Sequence, residues 1–230
     1  MQPSPTRPDD QLWLELPPIS ATAPKRLIVF LHPAGSTPEL LAPVAIAFQL
    51  KFPGATAVLL QGLRAAAVGE ERREWFDATT PVRPAEVQDA ADRVVQRLHA
   101  LQQASSIDPR DTVLVGFSQG AMLVLELLRR HPGAAGIAIA YAARLAQPVR
   151  HGDRLGATVH LIHGEHDSIV PVTHARRAFR GLLAVGTDTT LDVVSGVAHG
   201  IDQDMVNLGT WRLMRTLFRG RTRRHAPVLH

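Results

Sequence analysis

The segment Gly116-Phe117-Ser118-Gln119-Gly120 has the spacing G-x-S-x-G. Glycines on either side of a serine permit a sharp turn from a strand into a helix, with the hydroxyl at its apex. The flanks suit that turn. An apolar run, Thr112–Val115, precedes it, and an almost wholly apolar stretch, Gln119–Arg130, follows it. A serine held this way is a nucleophile for acyl transfer. The amides after it lie at a helix N-terminus, where developing negative charge is favoured.

A hydroxyl needs a base, and the base needs a third group to orient it. With a nucleophile on such a turn, the acid and then the histidine follow in chain order. Asp167 stands in His163-Gly164-Glu165-His166-Asp167, just after the apolar run Val159–Ile162. His199 stands in Ser195-Gly196-Val197-Ala198-His199-Gly200, just after Thr189–Val194. The expected roles are proton acceptor for His199 and orienting carboxylate for Asp167. Glu165 is the alternative acid, but it lies nearer the strand. His163 and His166 beside Asp167 form only a weak metal signal, since three-residue spacing in a loop fixes no ligand geometry. His160 is expected to pack within its strand, and Asp192, in mid-strand, to face solvent.

Three loops can converge only if their strands end on one edge of one sheet. Short apolar runs at Arg26–Leu31, Thr56–Leu60, Thr112–Val115, Ala135–Tyr141 and Val159–Ile162 suit strands buried on both faces. Thr189–Val194 is a more polar version, and alternating Gln11–Leu16 reads as an edge strand. Helical patterns lie between them at Pro38–Leu50, Pro84–Gln103, Gln119–Arg130, Pro171–Ala184 and Ile201–Phe218. Alternating strands and helices predict an α/β fold, a mostly parallel sheet with helices on both faces. We expect one domain over residues 1–230, with Gly220–His230 as a flexible basic tail. No large cap domain fits, which favours an open, shallow site.

Composition narrows the chemistry. The 230 residues include no cysteine, so disulfides, cysteine-ligated zinc and a thiolate nucleophile are excluded. The net charge of +4 comes from the C-terminal end, where six arginines follow Met205 without any acid. No aromatic residue interleaves Arg219–Arg224, so nucleic-acid binding is not expected. No stretch is long and apolar enough to span a membrane, and Met1–Asp10 lacks the apolar core of a signal peptide. A cytoplasmic location follows as the expectation. A homodimer is left open, without residue-level support.

Several motifs occur together: Leu31-His32-x-x-Gly35, Trp75-Phe76-Asp77, the Phe-Ser-Gln-Gly form around Ser118, His163-Gly164-x-x-Asp167 with Val170-Pro171, and Ala198-His199-Gly200-Ile201. In these the chain resembles the phospholipase/carboxylesterase family of α/β-hydrolases, which includes acyl-protein thioesterases, and most of all its small bacterial esterases. The resemblance spans about Leu27 to Phe218. It implies the α/β-hydrolase fold, no cofactor and no metal, and hydrolysis of an ester or thioester through an acyl-serine. It implies the triad Ser118, Asp167 and His199, and an oxyanion hole from the amides of Ala34 and Gln119. The family usually has His-Gly-x-Gly where this chain has His32-Pro33-Ala34-Gly35. Proline has no N–H. With Ala34 as the donor, as the resemblance implies, Pro33 costs nothing directly, whereas a donor at residue 33 would be lost, at about 2.7–4 kcal/mol of transition-state stabilisation. Trp75 and Phe76 either anchor their loop in the core or border the substrate pocket. The expected activity is a serine carboxylesterase for small or short-chain esters. An acyl-protein thioesterase or a lysophospholipase is the alternative, and a non-catalytic binding member of the fold is the reading from another class.

Overall fold

A computed structural model describes residues 13–20, 25–67, 71–78 and 81–224. Seven strands form one sheet: β1 (Trp13–Leu16), β2 (Arg26–Leu31), β3 (Ala55–Leu60), β6 (Thr112–Phe117), β7 (Ile137–Tyr141), β8 (Thr158–Gly164) and β9 (Thr189–Val194). Their order is β1-β3-β2-β6-β7-β8-β9. Only β1 runs antiparallel, on the edge beside β3; every other pair is parallel. A separate two-residue pair, β4 (Arg64–Ala65) with β5 (Arg73–Glu74), lies in the long connection after β3. The expected strand residues Gln11 and Leu12 lie outside the described residues.

Side chains along a strand alternate between faces, and the core follows that rule. From β2, Leu27, Val29 and Leu31 join one apolar cluster, with Val94 and Leu98 of α2 (Pro84–Ser105), Leu123 of α3 (Gln119–Arg130) and Leu182 of α4 (Val172–Ala184). Ile28 and Phe30 join the other, with Phe48 of α1 (Ala42–Lys51) and Leu213 of α5 (Gln203–Arg224). Three helices thus cover one face and two the other. This is why the central strands read as unbroken apolar runs rather than alternating ones.

Two readings are corrected. α5 continues to Arg224, so the start of the expected tail, Gly220–Arg224, is helical; His225–His230 lie outside the described residues. One glycine costs a helix only about 1 kcal/mol, and arginine is a good helix former. No proline intervenes before Pro227. Asp192 does not simply face solvent: it accepts two hydrogen bonds from Arg212 on α5, at 2.7 and 2.5 Å. His160 is packed as expected, between the hydroxyls of Thr190 and Thr216, each at 2.9 Å.

Candidate active site

All the parallel strands present their carboxyl ends at one edge, and the expected site residues collect there. Ser118 sits between β6 and α3 with φ 54° and ψ −111°. A non-glycine residue at such angles carries roughly 1–3 kcal/mol of strain, which the packing around it must offset. The packing does so by tight approach. A Cβ on Gly120 would overlap the Leu31 carbonyl, and one on Gly116 would stand 2.6 Å from the backbone of Ala121. The Ser118 N–H donates to the Tyr141 carbonyl at the end of β7, at 2.9 Å.

Ser118 Oγ lies 3.0 Å from His199 Nε2, and His199 Nδ1 lies 2.7 Å from Asp167 Oδ2. A carboxylate only accepts, so Nδ1 carries the proton and Nε2 is free to accept from the serine. The other Asp167 oxygen, Oδ1, accepts the N–H groups of Ile169 and Val170 at 3.0 and 2.8 Å. The buried carboxylate is therefore saturated with donors, as a buried charge requires. The His199 ring rests near the Phe117 ring, centroids 5.2 Å apart.

The neighbouring candidates go elsewhere. Glu165 accepts from Ser195 Oγ at 2.6 Å on the exposed side and does not touch His199 among its described contacts. His163 is buried, and its Nε2–H donates to the Val170 carbonyl at 2.7 Å. The same nitrogen is 3.4 Å from Asp167 Oδ2. Burial, ahead of all other causes, holds the His163 imidazole below its ordinary value, so it packs against the carboxylate as a neutral ring. Among the described residues, no group of three or more histidine, aspartate or glutamate side chains is placed to hold a metal ion.

The oxyanion candidates lie on two loops. Gln119 is the first residue of α3, and the first N–H groups of a helix have no intrahelical acceptor. Ala34 follows β2. Its N–H belongs to the same planar peptide as the Pro33 carbonyl. That carbonyl accepts the Nδ1–H of His32 at 2.7 Å. The tautomer follows from the other ring nitrogen: Nε2 accepts the Gly62 N–H at 2.9 Å, so the proton sits on Nδ1. Burial, the largest cause, keeps His32 below its ordinary value and so neutral. His32 therefore sets the plane of the peptide that carries the Ala34 N–H. The sequence reading quoted His32 in a motif but gave it no role; its place directly after a buried strand was the available signal.

Trp75 and Phe76 are both buried in the core. Their backbone holds the side chain of Gln119: the Trp75 N–H donates to Oε1 at 2.8 Å, and Nε2 donates to the Phe76 carbonyl at 2.9 Å. Trp75 Nε1–H also donates to the His32 carbonyl at 2.7 Å. The pair thus braces the two loops that carry the oxyanion candidates, which fits the core-anchoring reading.

Comparison with known proteins shows the family and the fold. The family model described as Phospholipase/Carboxylesterase matches residues 19–209. The esterase YpfH of Escherichia coli (strain K12) is 30% identical over 196 residues, covering 84% of each chain. A protein of Oryza sativa subsp. japonica described as a probable inactive carboxylesterase is 28% identical over 206 residues, 80% of this chain and 82% of its own. Among solved structures, esterase PE8 superposes with a TM-score of 0.80 at 29% identity, covering 88% of this chain and 97% of that one. A carboxylesterase from Mesorhizobium loti, 19% identical, shares the fold with a TM-score of 0.73, over 82% of this chain and 88% of its own. The chain belongs to the phospholipase/carboxylesterase family and has the α/β-hydrolase fold of those carboxylic ester hydrolases.

Proposed function

We propose that the protein is a serine carboxylesterase acting on small or short-chain esters. The observation that carries this reading is the unbroken relay from Ser118 Oγ through His199 to Asp167, at 3.0 and 2.7 Å. Ser118 Oγ attacks the ester carbonyl carbon while His199 Nε2 takes its proton. The carbonyl oxygen gains the negative charge, and the N–H groups of Ala34 and Gln119 are the donors assigned to it. Asp167 stabilises the imidazolium without taking the proton. His199 then protonates the departing alkoxide oxygen and leaves an acyl-serine. A water, deprotonated by the same nitrogen, returns the enzyme by the reverse sequence.

The described residues between strands supply the flanking helices, two short 3-10 turns at Pro38–Leu41 and Pro109–Asp111, and one short pair, β4 with β5, which supports an open site and small substrates. The same groups would act on a thioester or a lysophospholipid. Relative rates on matched ester and thioester, and a series of acyl chain lengths, separate those readings. A merely binding member of the fold has no use for a strained serine hydrogen-bonded to a histidine.

The test is twofold. Ser118→Ala is expected to abolish turnover of 4-nitrophenyl butyrate while the protein stays folded. A fluorophosphonate is expected to label Ser118 stoichiometrically in the wild type. Absence of labelling in well-folded protein overturns the covalent mechanism.

A further inference from the structure

A second feature opens beside the site. The chain after β7 (Arg144 to Val149) and the first turns of α4 enclose a cleft of about 310 Å³. Its walls are apolar at Leu145, Val149 and Ala178, and its polar groups are Arg144, His174, Arg177 and Gln147, whose amide donates to Glu126 at 3.5 Å. Among the described residues, neither guanidinium has a carboxylate or other hydrogen-bond partner. Glu126 and Asp153 are both engaged by Arg129, at 2.6 and 3.9 Å. The cleft therefore holds two cations that no described residue neutralises.

Both walls spring from the edge that bears the triad. Tyr141, whose carbonyl receives the Ser118 N–H, is three residues before Arg144, a reach of at most about 11 Å. α4 begins at Val172, directly after the loop that carries Asp167. His174 lies close enough to His163, which touches Asp167, for the protonation of one ring to be felt by the other. Burial, then the charges of Arg144 and Arg177, hold His174 below its ordinary value. At neutral pH it is an uncharged hydrogen-bonding group within reach of both charges.

We propose that this cleft is a substrate subsite for a carboxylate, so that the preferred esters carry a second, ionised acid group on a short apolar stem. The inference rests on the esterase reading above. Arginine presents a planar fork that a carboxylate matches with two hydrogen bonds. The apolar walls suit the few methylenes that would join that carboxylate to the ester. A neutral ester of the same length would leave both arginines without a partner.

The experiment compares two matched pairs at low salt. In the first, 4-nitrophenyl hemiglutarate and 4-nitrophenyl butyrate differ by a carboxylate in the acyl part. In the second, 4-butyryloxybenzoate and its methyl ester differ by a carboxylate in the leaving group. The readout is the ratio of kcat/KM, anionic over neutral, within each pair. We expect a ratio above one in at least one pair, which also tells which side of the ester enters the cleft. Arg144→Gln or Arg177→Gln should lower that ratio about tenfold, the scale of one charged hydrogen bond. Arg180→Gln, on the same helix but outside the cleft, should leave it unaltered. Raising ionic strength from ~0.01 to ~0.15 M should also lower it in the wild type. No anionic preference in either pair, or a preference indifferent to both substitutions, overturns the subsite. Failure of the esterase reading looks different: no ester of either pair is turned over and Ser118 is not labelled.

Discussion

Gln119 Oε1 accepts the backbone N–H of Trp75 at 2.8 Å, across forty-four positions of chain. The glutamine amide answers both a donor and an acceptor of the 75–76 backbone, all of them buried. Gln119→Leu keeps the volume but strands both partners. An unsatisfied buried polar group costs about 1–3 kcal/mol. Urea denaturation should show unfolding free energy lower by about 2–4 kcal/mol. A loss below 0.5 kcal/mol, within the range of an ordinary surface change, would mean that the brace does not matter.

His32 sets the peptide that carries the Ala34 N–H. His32→Phe removes the bond to the Pro33 carbonyl while keeping a ring against Trp75. We expect kcat on 4-nitrophenyl butyrate to fall by up to about 10²–10³, the effect of losing one oxyanion donor, with KM little changed. His32→Asn, whose amide nitrogen can stand near the site of Nδ1, should recover part of the rate. Equal loss in both variants would reduce His32 to a packing residue.

Asp167→Asn tests the relay. The amide offers a donor where the carboxylate offered an acceptor, which favours the wrong imidazole tautomer. A fall in kcat of about 10⁴ is expected, with thermal stability measured alongside to separate tautomer from fold. Glu165→Gln, on the exposed side and bonded only to Ser195 among its described side-chain partners, should leave kcat within a factor of two or so. A larger effect from Glu165 would transfer the acid role to it.

Acid should destabilise the protein through its buried histidines. Burial pushes His160 down to about 4, and it holds His32 and His163 below their ordinary values as well. Above pH 6.5 these rings are neutral in both folded and unfolded chains, so they impose no penalty. As pH falls from 6.5 toward 4, the unfolded chain takes up protons that the folded one excludes, and stability drops. For His160 alone the loss reaches about 3 kcal/mol at pH 4. Unfolding free energies across that window should fall less steeply for His160→Gln. A curve parallel to wild type would show that His160 does not contribute.

The sequence was most informative where one local rule decides the outcome. Apolar runs such as Leu27–Leu31 marked doubly buried strands, and the glycines around Ser118 marked a turn that only close backbone approach explains. Chain order then paired Asp167 and His199 with that serine. What escaped was pairing at long range. Nothing near Asp192 announces Arg212, and nothing near Trp75 announces that its backbone, rather than its indole ring alone, holds Gln119. The length of α5 escaped because the basic run from Gly220 shows no apolar periodicity, although its glycine costs a helix little and its arginines favour one.

The order of the sheet has a consequence for how the chain is made. β2 lies between β3 and β6, and Arg26 at its start bonds to Asp111, 85 residues later. A ribosome adding about 5–20 residues per second needs roughly 4–17 s to synthesise that interval. Throughout it, the edge of β2 that pairs with β6 has no partner strand, although β3 and α1 have already been made. The nascent amino-terminal half is thus an unfinished sheet with an open edge until β6 leaves the exit tunnel. An open strand edge is a template for pairing with another chain, so synthesis rate and holdase supply should affect the soluble yield.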